Sequence, residues 1–228
     1  MEPPRPFLKS RWTIWIVCVY LLIAAIGAFA KVHVITFGKW TSVQWSARAG
    51  GDKPQTIKVR ALLVDGQLKE YMFGSPHEVT ERLFVVRRAF RVNDGLPQDS
   101  APRWQWQLGA WLLVDRLTGH ISPLNLPDFD AFYSAASWYR DYVAYCGIGD
   151  DGKKTYAIVA QLNRRKPVLK KPVSDGLSDD AAPDAACPPP TWQRAPIRVS
   201  FEPPGSTRQT FAIHGHIVDV VNDDDEEE

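Results

Sequence analysis

The chain has 228 residues, with 27 Lys and Arg, 26 Asp and Glu, and a formal net charge of +1. Outside the first thirty residues and the last six, which are all acidic, the body carries 24 basic and 19 acidic residues. This weak positive charge excludes the dense basic stripe of a nucleic-acid-binding protein. With 45% apolar residues and nine Trp in the chain, the body can bury a substantial core.

The amino terminus contains a predicted membrane segment. Nineteen uncharged residues, 12–30, follow a basic tail, 1–11, that holds Arg5, Lys9 and Arg11. A helix of this length is about 28 Å long, close to the hydrocarbon thickness of a bilayer. The sequence therefore predicts a single-pass transmembrane helix, with the lipid bilayer as its partner.

Two interpretations of this segment remain open. Residues 28–30 read Ala-Phe-Ala, an A-x-A site at which a secretory signal peptide is cleaved. The length of the apolar run, and Trp12 and Trp15 at a headgroup boundary, favour an uncleaved signal anchor. Positive charge is denser before the span than after it, which predicts an extracytoplasmic location for residues 31–228. The expected location is the inner cell membrane.

The body shows strand periodicity and turn residues. Residues 57–73 form a predicted β-hairpin whose turn is Asp65-Gly66. Residues 83–92 alternate as a strand does, with an exception at Arg88. Residues 142–162 form a second predicted hairpin, whose loop carries Gly and Asp. These patterns predict an antiparallel β domain.

One short helix is predicted after Pro127. Apolar side chains recur there at helical spacing, and Asp128 is placed to cap the first turn. The apolar stripe consists of Phe129, Phe132, Tyr133, Ala136 and Tyr139.

The domain organisation follows from composition. Residues 31–171 form the predicted main β domain, an antiparallel β-sandwich or a rolled sheet. Residues 172–190 hold five Pro, four Asp and no aromatic residue, which predicts a loop. Residues 191–222 are predicted as strands that join the main domain, because they are too few to fold separately. Residues 223–228 form a predicted disordered acidic tail.

Two resemblances add to this prediction. Residues 111–124 and 138–162 resemble blade strands of bacterial β-propellers, with an aromatic residue, an apolar strand and a D-x-x-T-G or D-G-K turn. This resemblance implies a small or partial propeller as the alternative fold. Residues 37–45, 137–147 and 164–167 resemble a group of uncharacterised bacterial proteins with one amino-terminal membrane segment. That resemblance implies a bacterial membrane protein but no activity or ligand.

Cysteine is sparse in the chain. Cys18 lies in the apolar segment, which leaves Cys146 and Cys187 for the aqueous body. Two cysteines in an exported domain form a possible disulfide, which would close a loop of about forty residues. The alternative is that Cys146 is simply a small buried side chain.

The sequence contains no recognisable catalytic motif, and the catalytic residues remain unknown. A P-loop, a zinc-protease helix, a nucleophile elbow, a C-x-x-C pair and a dinucleotide-binding turn are all missing from the sequence. Asp128 and Asp130 form a carboxylate pair that a helix start explains better than catalysis does. His214 and His216 share one face of a strand and are weak metal candidates, with Asp219 on the opposite face. We therefore expect no cofactor.

The candidate binding patch has two parts. Trp104 and Trp106 alternate with polar residues beside a Pro-containing loop, where flat rings can contact carbohydrate or peptide, although core packing is the alternative. A basic cluster after the second hairpin fits anionic lipid headgroups or cell-wall polymer, or a solvated edge that prevents aggregation. It comprises Arg164, Arg165, Lys166, Lys170 and Lys171.

Together these features predict a membrane-anchored protein with an extracytoplasmic β-rich domain for binding or scaffolding. The expected partners are an envelope protein, a polymer or anionic lipid headgroups. The alternative is an exported envelope-associated hydrolase with an unmarked active site. Carboxylates or imidazoles that converge in a pocket would favour the hydrolase, whereas an aromatic or basic face would favour binding.

Overall fold

A computed structural model describes residues 32–45, 55–149, 154–174, 187–203, 206–214 and 217–221. Contacts divide the chain into two units, Met1–His33 and Val34–Glu228. The predicted membrane segment, 12–30, lies outside the described residues. Within the described residues, no helix is both long enough and apolar enough to span a bilayer.

The prediction of a mainly β body is confirmed. The described residues of the second unit form strands in three sheets, one of seven strands and two of four. In chain order the strands are β1 (Ile35–Phe37), β2 (Thr41–Trp45), β3 (Gln55–Val64), β4 (Gln67–Glu78), β5 (Leu83–Asn93), β6 (Trp104–Asp115), β7 (Ile121–Pro123), β8 (Ser137–Tyr139), β9 (Tyr142–Ile148), β10 (Thr155–Gln161), β11 (Leu169–Ser174), β12 (Thr191–Arg194), β13 (Ile197–Phe201), β14 (Gln209–His214) and β15 (Ile217–Val221).

Strands β1 to β7 form the seven-stranded sheet, in which five strands close a circuit of pairings. From β2 to β6, each strand pairs antiparallel with the next strand in sequence. The first and last of these five strands also pair with each other and close the circuit. There β2 and β6 pair in parallel through Trp45 and Trp106. The short strands β1 and β7 are attached to β3 and β6.

The turn between β3 and β4 has the predicted residues and the conformation that they permit. The φ angle is 53° at Asp65 and 76° at Gly66. Positive φ at both positions gives the turn whose twist matches that of the flanking strands. The Asp65 carboxylate also accepts the N–H of Val34 at 3.0 Å, which fixes the start of β1 beside this turn.

Buried side chains occupy both faces of the seven-stranded sheet. Alternation along β5 places Phe84 and Val86 on one face and Arg87 and Ala89 on the other. The cluster on the first face contains Leu62, Met72, Phe84, Val86, Leu112 and Val114. The cluster on the second face contains Ile57, Val59 and Ala89, with Trp45, Tyr71 and Trp106 among the side chains packed against it.

The other two sheets share one hydrophobic cluster. Strands β8 to β11 and strands β12 to β15 are each paired antiparallel in sequence order. Val159 of β10 and Val199 and Phe201 of β13 belong to the same buried cluster as Phe211 of β14. The carboxy-terminal strands thus form a sheet of their own that packs on β8–β11.

The prediction of a short helix after Pro127 is wrong. The segment makes turns instead, and Asp128 adopts a positive φ of 51°. The Oδ1 atom of Asp130 accepts the N–H groups of Phe132 and Tyr133, each at 2.8 Å. These bonds complete a single turn, which does not propagate.

Tertiary packing explains why the apolar spacing of this segment does not give a helix. The Phe129 ring packs edge-on against the Tyr145 ring, with centroids 5.2 Å apart. Tyr139, the last residue of the predicted stripe, lies in β8 and pairs with Tyr142. The segment therefore forms a covering loop on β8–β11, with Phe129 packed against one face of the sheet and Tyr133 buried against the other, while Phe132 stays exposed. Packing of Phe129 and Tyr133 on the sheet outweighs the weak tendency of a short segment to form a helix.

The Pro-rich stretch begins later than its composition suggests. Strand β11 includes residues 172–174, the first three residues of the predicted loop, and its Pro172 pairs with Tyr156. Residues 175–186 lie outside the described residues. Cys187, near the end of the stretch, forms an isolated bridge with Ser134.

Candidate functional site

The end of the β5–β6 hairpin presents two Trp and one Arg on a common face. The register pairs Arg91 with Trp106, and Trp104 lies two residues before Trp106 on the same strand. The Arg91 Cζ atom lies 5.5 Å from the centroid of the Trp104 ring and 5.6 Å from that of the Trp106 ring. Both distances are within the cation–π range. We call these three residues the tryptophan–arginine patch.

The two rings of the patch differ in exposure. Trp104 is 57% exposed, whereas Trp106 is half-buried and packs edge-on against Tyr71, with centroids 5.1 Å apart. Trp106 and Tyr71 both pack on the buried cluster of Ile57, Val59 and Ala89. Trp106 therefore fixes the patch to the core, and Trp104 presents its ring to solvent.

Arg91 keeps its charge available. Its side chain is exposed, and within the described part of the chain its guanidinium contacts only the two rings. Two acidic side chains of the adjoining β5–β6 loop have other partners: Asp94 accepts the Gln105 amide at 2.8 Å, and Asp99 lies 3.7 Å from Arg103. The same bonds hold the β5–β6 loop in place beside the patch.

The predicted basic cluster lies on a different sheet from the patch. Residues 164–166 are exposed in the loop between β10 and β11. Lys170 Nζ lies 2.7 Å from a carboxylate oxygen of Asp128, and Lys171 Nζ lies 5.5 Å from the centroid of the Phe211 ring. Lys170 and Lys171 thus have partners within the fold, and the structure does not unite the two predicted parts of one patch.

Of the two weak metal candidates, only His214 lies in the described residues. His214 is exposed at the end of β14, and His216 lies outside the described residues. In the described ranges, no group of three or more His, Cys, Asp or Glu side chains could hold a metal ion. Asp128 is engaged by Lys170, and Asp130 by the N–H groups of its own turn.

The structure pairs Cys146 with Cys187 in a disulfide, with the two Cα atoms 6.0 Å apart. Both side chains are buried in the cluster that the two four-stranded sheets share. The Ser134 hydroxyl donates to the Cys146 carbonyl at 2.7 Å and so fixes the covering loop to the same point. The bond ties β9 to the segment that leads into β12.

Sequence reasoning missed a buried arginine. Arg87 is only 6% exposed, its Nη2 donates to the Ala131 carbonyl at 2.6 Å, and its Cζ lies 4.7 Å from the centroid of the Phe129 ring. Burial lowers the pKa of Arg87 to about 10, against the opposing effect of the Asp130 charge. The signal was present, because two adjacent Arg in a buried strand must face opposite sides.

Of the predicted site residues, Trp104 and Trp106 thus share a surface, joined by an arginine that sequence reasoning had not selected. Alternation along β5 and β6, with a known hairpin register, was the signal that could have found it. No protein-family model, no curated protein and no solved structure matches this chain.

Proposed function

We propose that this chain is a single-pass membrane-anchored protein whose extracytoplasmic β-rich domain binds an anionic glycan of the cell envelope. Residues 12–30 are the anchor in this proposal, and their length and flanking charge support it. The resemblance of residues 37–45, 137–147 and 164–167 to bacterial proteins with one membrane segment supports the same assignment. The tryptophan–arginine patch is the proposed binding site.

The finer architecture is part of the proposal. Strands β8 to β15 form an antiparallel sandwich, supported by the single buried cluster that both four-stranded sheets share. Strands β1 to β7 form a rolled sheet, supported by the closed circuit of pairings from β2 to β6. A partial propeller is the alternative, because its blades are also four-stranded antiparallel sheets.

The single observation that carries the binding proposal is an exposed Trp104 beside an exposed Arg91 that has no ion-pair partner in the described residues. An open indole can stack on the apolar face of a sugar ring. The rings of Trp104 and Trp106 contact the guanidinium of Arg91, and N–H groups on its edges remain to bind a carboxylate. Stacking and charge together select an acidic sugar over a neutral one.

A membrane anchor would strengthen the overall binding of a polymer to such a site. One small patch binds a single sugar residue weakly, because it buries little area. A polymer offers many identical residues, and many anchored copies face it at once, so the overall binding is multivalent. A weak patch can therefore retain the envelope polymer.

The test measures binding of the full-length protein, in detergent, to immobilised polygalacturonate and to a neutral glucan. We expect preferential binding to polygalacturonate. Trp104→Ala and Arg91→Ala should each weaken it by about tenfold, because each removes about 1–2 kcal/mol of stacking or charge-assisted hydrogen bonding. Arg91→Lys should give an intermediate loss, because it keeps the charge and loses the planar fork.

Trp40→Ala is the matched control. Trp40 is 45% exposed and has an arginine, Arg60, with its Cζ 4.4 Å from the ring centroid, but it lies outside the patch. This variant should bind polygalacturonate as the parent protein does. Equal binding to the neutral glucan, or an equal loss in the Trp40 variant, would contradict the proposal.

A further inference from the structure

We infer that a second site, a groove on the face of the seven-stranded sheet opposite the tryptophan–arginine patch, binds a small organic carboxylate. The groove has a volume of about 340 Å³, at the lower end of the range for ligand pockets. Lys69, Arg88 and His120 line it together with apolar side chains that include Leu112 and Ile121. It shares no residue with the patch, so it stands independently of the proposed function.

Both cationic side chains of the groove sit at irregularities in the strand pairing. On β4, Leu68 pairs with Leu63 and Glu70 pairs with Leu62, which leaves Lys69 as an inserted residue. Between β5 and β6 the register also shifts, opposite Arg88. β-Bulges re-aim side chains and occur frequently beside functional sites. In the first irregularity the inserted residue is Lys69 itself, and in the second the extra residue is on β6, opposite Arg88. Both irregularities therefore lie at the groove.

Arg88 is held in a fixed orientation. Its Nε donates to Glu70 at 2.9 Å, and its Cζ lies 5.3 Å from the centroid of the Phe90 ring. The Glu70 bond uses Nε, and no partner for the two terminal nitrogens occurs among the described residues. Terminal guanidinium nitrogens bind a carboxylate in a bidentate manner.

Gly109 provides room for this arginine. A Cβ atom at position 109 would lie 3.3 Å from both Cβ and Cδ of Arg88 and 3.1 Å from Cε1 of Phe90. These approaches are tight, so a side chain there would displace Arg88 from its present course. The glycine thus allows the guanidinium to lie where it lines the groove.

The charge and the apolar wall define the ligand class. The groove has a net positive charge, because it contains two cationic side chains, Lys69 and Arg88, and one carboxylate, Glu70, which is paired with Arg88. The His120 imidazole adds a ring without a partner in the described part of the chain. Leu112, 4% exposed, and Ile121 supply an apolar wall. The groove therefore fits a compact carboxylate with an apolar body.

The experiment uses N-acetylleucine as the probe and its uncharged amide, N-acetylleucinamide, as the matched ligand. Titration of full-length protein in detergent, followed by ligand-observed NMR, gives both dissociation constants. We expect millimolar or tighter binding of the acid and at least about tenfold weaker binding of the amide. Equal affinity for the acid and the amide, or no binding of the acid, overturns the inference. This comparison uses only the parent protein, so it does not depend on whether a variant folds.

Variants then locate the binding. Arg88→Gln and Gly109→Ala should each weaken binding of the acid about tenfold, whereas Lys58→Gln, which removes an exposed lysine outside the groove, should leave it unchanged. Thermal midpoints show whether each variant is folded. Unchanged binding in a folded Arg88→Gln variant places the acid elsewhere and overturns the assignment.

A carboxylate can belong to a free small molecule or to a polymer, and the groove volume favours the free molecule. Polygalacturonate added to the titration should leave N-acetylleucine bound. Displacement by the polymer overturns the assignment to a small molecule. Loss of polymer binding in the Trp104→Ala variant, with N-acetylleucine binding retained, separates the failure of one site from the failure of the other.

Discussion

Arg87 holds a guanidinium inside the fold, where a charge is costly. It has a hydrogen bond to the Ala131 carbonyl and ring contacts, but its Nε has no partner in the described residues. The carboxylate of Asp130 attracts the Arg87 guanidinium and partly offsets the cost of burying its charge. A buried charge with incomplete partners is weak evidence for stability.

The first residue-scale prediction separates the volume of Arg87 from its charge. Arg87→Met keeps most of the volume and should change the free energy of unfolding by less than about 1 kcal/mol. Arg87→Ala leaves a cavity under Phe129 and should lower it by about 2–4 kcal/mol. Urea denaturation of both variants measures the difference. Equal losses would show that the charge itself is required.

The pH dependence of the free energy of unfolding should differ between the parent protein and the Arg87→Met variant, and the sign of the difference follows from the pKa of Arg87. The pKa of Arg87 falls to about 10 on folding, so the unfolded state binds the proton more tightly. The resulting destabilisation is fully present well below pH 10 and is relieved as the pH rises through about 10. The parent protein should therefore gain stability relative to Arg87→Met between pH 9 and 11.

At the scale of elements, the turn between β6 and β7 depends on one carboxylate. Asp115 accepts the Arg82 guanidinium, with Nε at 2.8 Å, and the N–H of Leu117 at 2.9 Å. The Arg82 hydrogen bond is the main cause that lowers the pKa of Asp115, and the N–H groups of Leu117 and Thr118 add to it. The turn thus stabilises the ionised carboxylate.

This turn gives an acid-stability prediction. Because the pKa of Asp115 is lower in the folded state, its contribution is present above the unfolded value of 3.8 and is lost as the pH falls below that value. Asp115→Asn should lower the thermal midpoint at pH 7, and its difference from the parent should shrink at pH 3. The control is Glu202→Gln, which removes an ion pair with more than half of each side chain exposed. A pH-independent difference would show that charge is not the cause.

Local sequence signals predicted the turns and strands well, because these depend on a few adjacent residues. Asp65-Gly66 forms its expected turn since both residues tolerate positive φ. The helical spacing after Pro127 gave a wrong prediction of a short helix, because Phe129 in that segment packs on Tyr145 of a sheet formed by later residues. The choice between Arg87 and Arg88, and the pairing of Arg91 with Trp106, depend on bulges and register that sequence periodicity does not encode.

At the scale of the whole molecule, the Cys146–Cys187 bond closes a covalent loop between β9 and the segment before β12. The two cysteines are 41 residues apart, which corresponds to about 3–4 kcal/mol in the chain-entropy model. Cys187→Ala should therefore lower the thermal midpoint by about 6–16 °C. Cys146→Ala in addition should change it little further, because the bond is already lost. Differential scanning calorimetry measures both.

The same bond reports on the compartment. Non-reducing peptide mapping of protein from intact cells should find the fragments of Cys146 and Cys187 linked, since the proposed extracytoplasmic location exposes the domain to oxidising conditions. Two free thiols in the unfolded, unreduced protein would contradict both the bond and the proposed location.

The parallel contact of Trp45 with Trp106 sets an order of assembly. Strands β3 to β6 pair with their neighbours through short connections, so their hairpins form rapidly and independently of the rest. The contact between β2 and β6 must wait until the intervening strands are in place, because loop-closure entropy opposes it earlier. A chain interrupted before β6 would leave β2 without this neighbour, its backbone groups open to pairing with another copy. Pairing of Trp106 with Trp45 is therefore the last step in closing the circuit from β2 to β6, and it covers the end of β2 at which a second copy could otherwise pair.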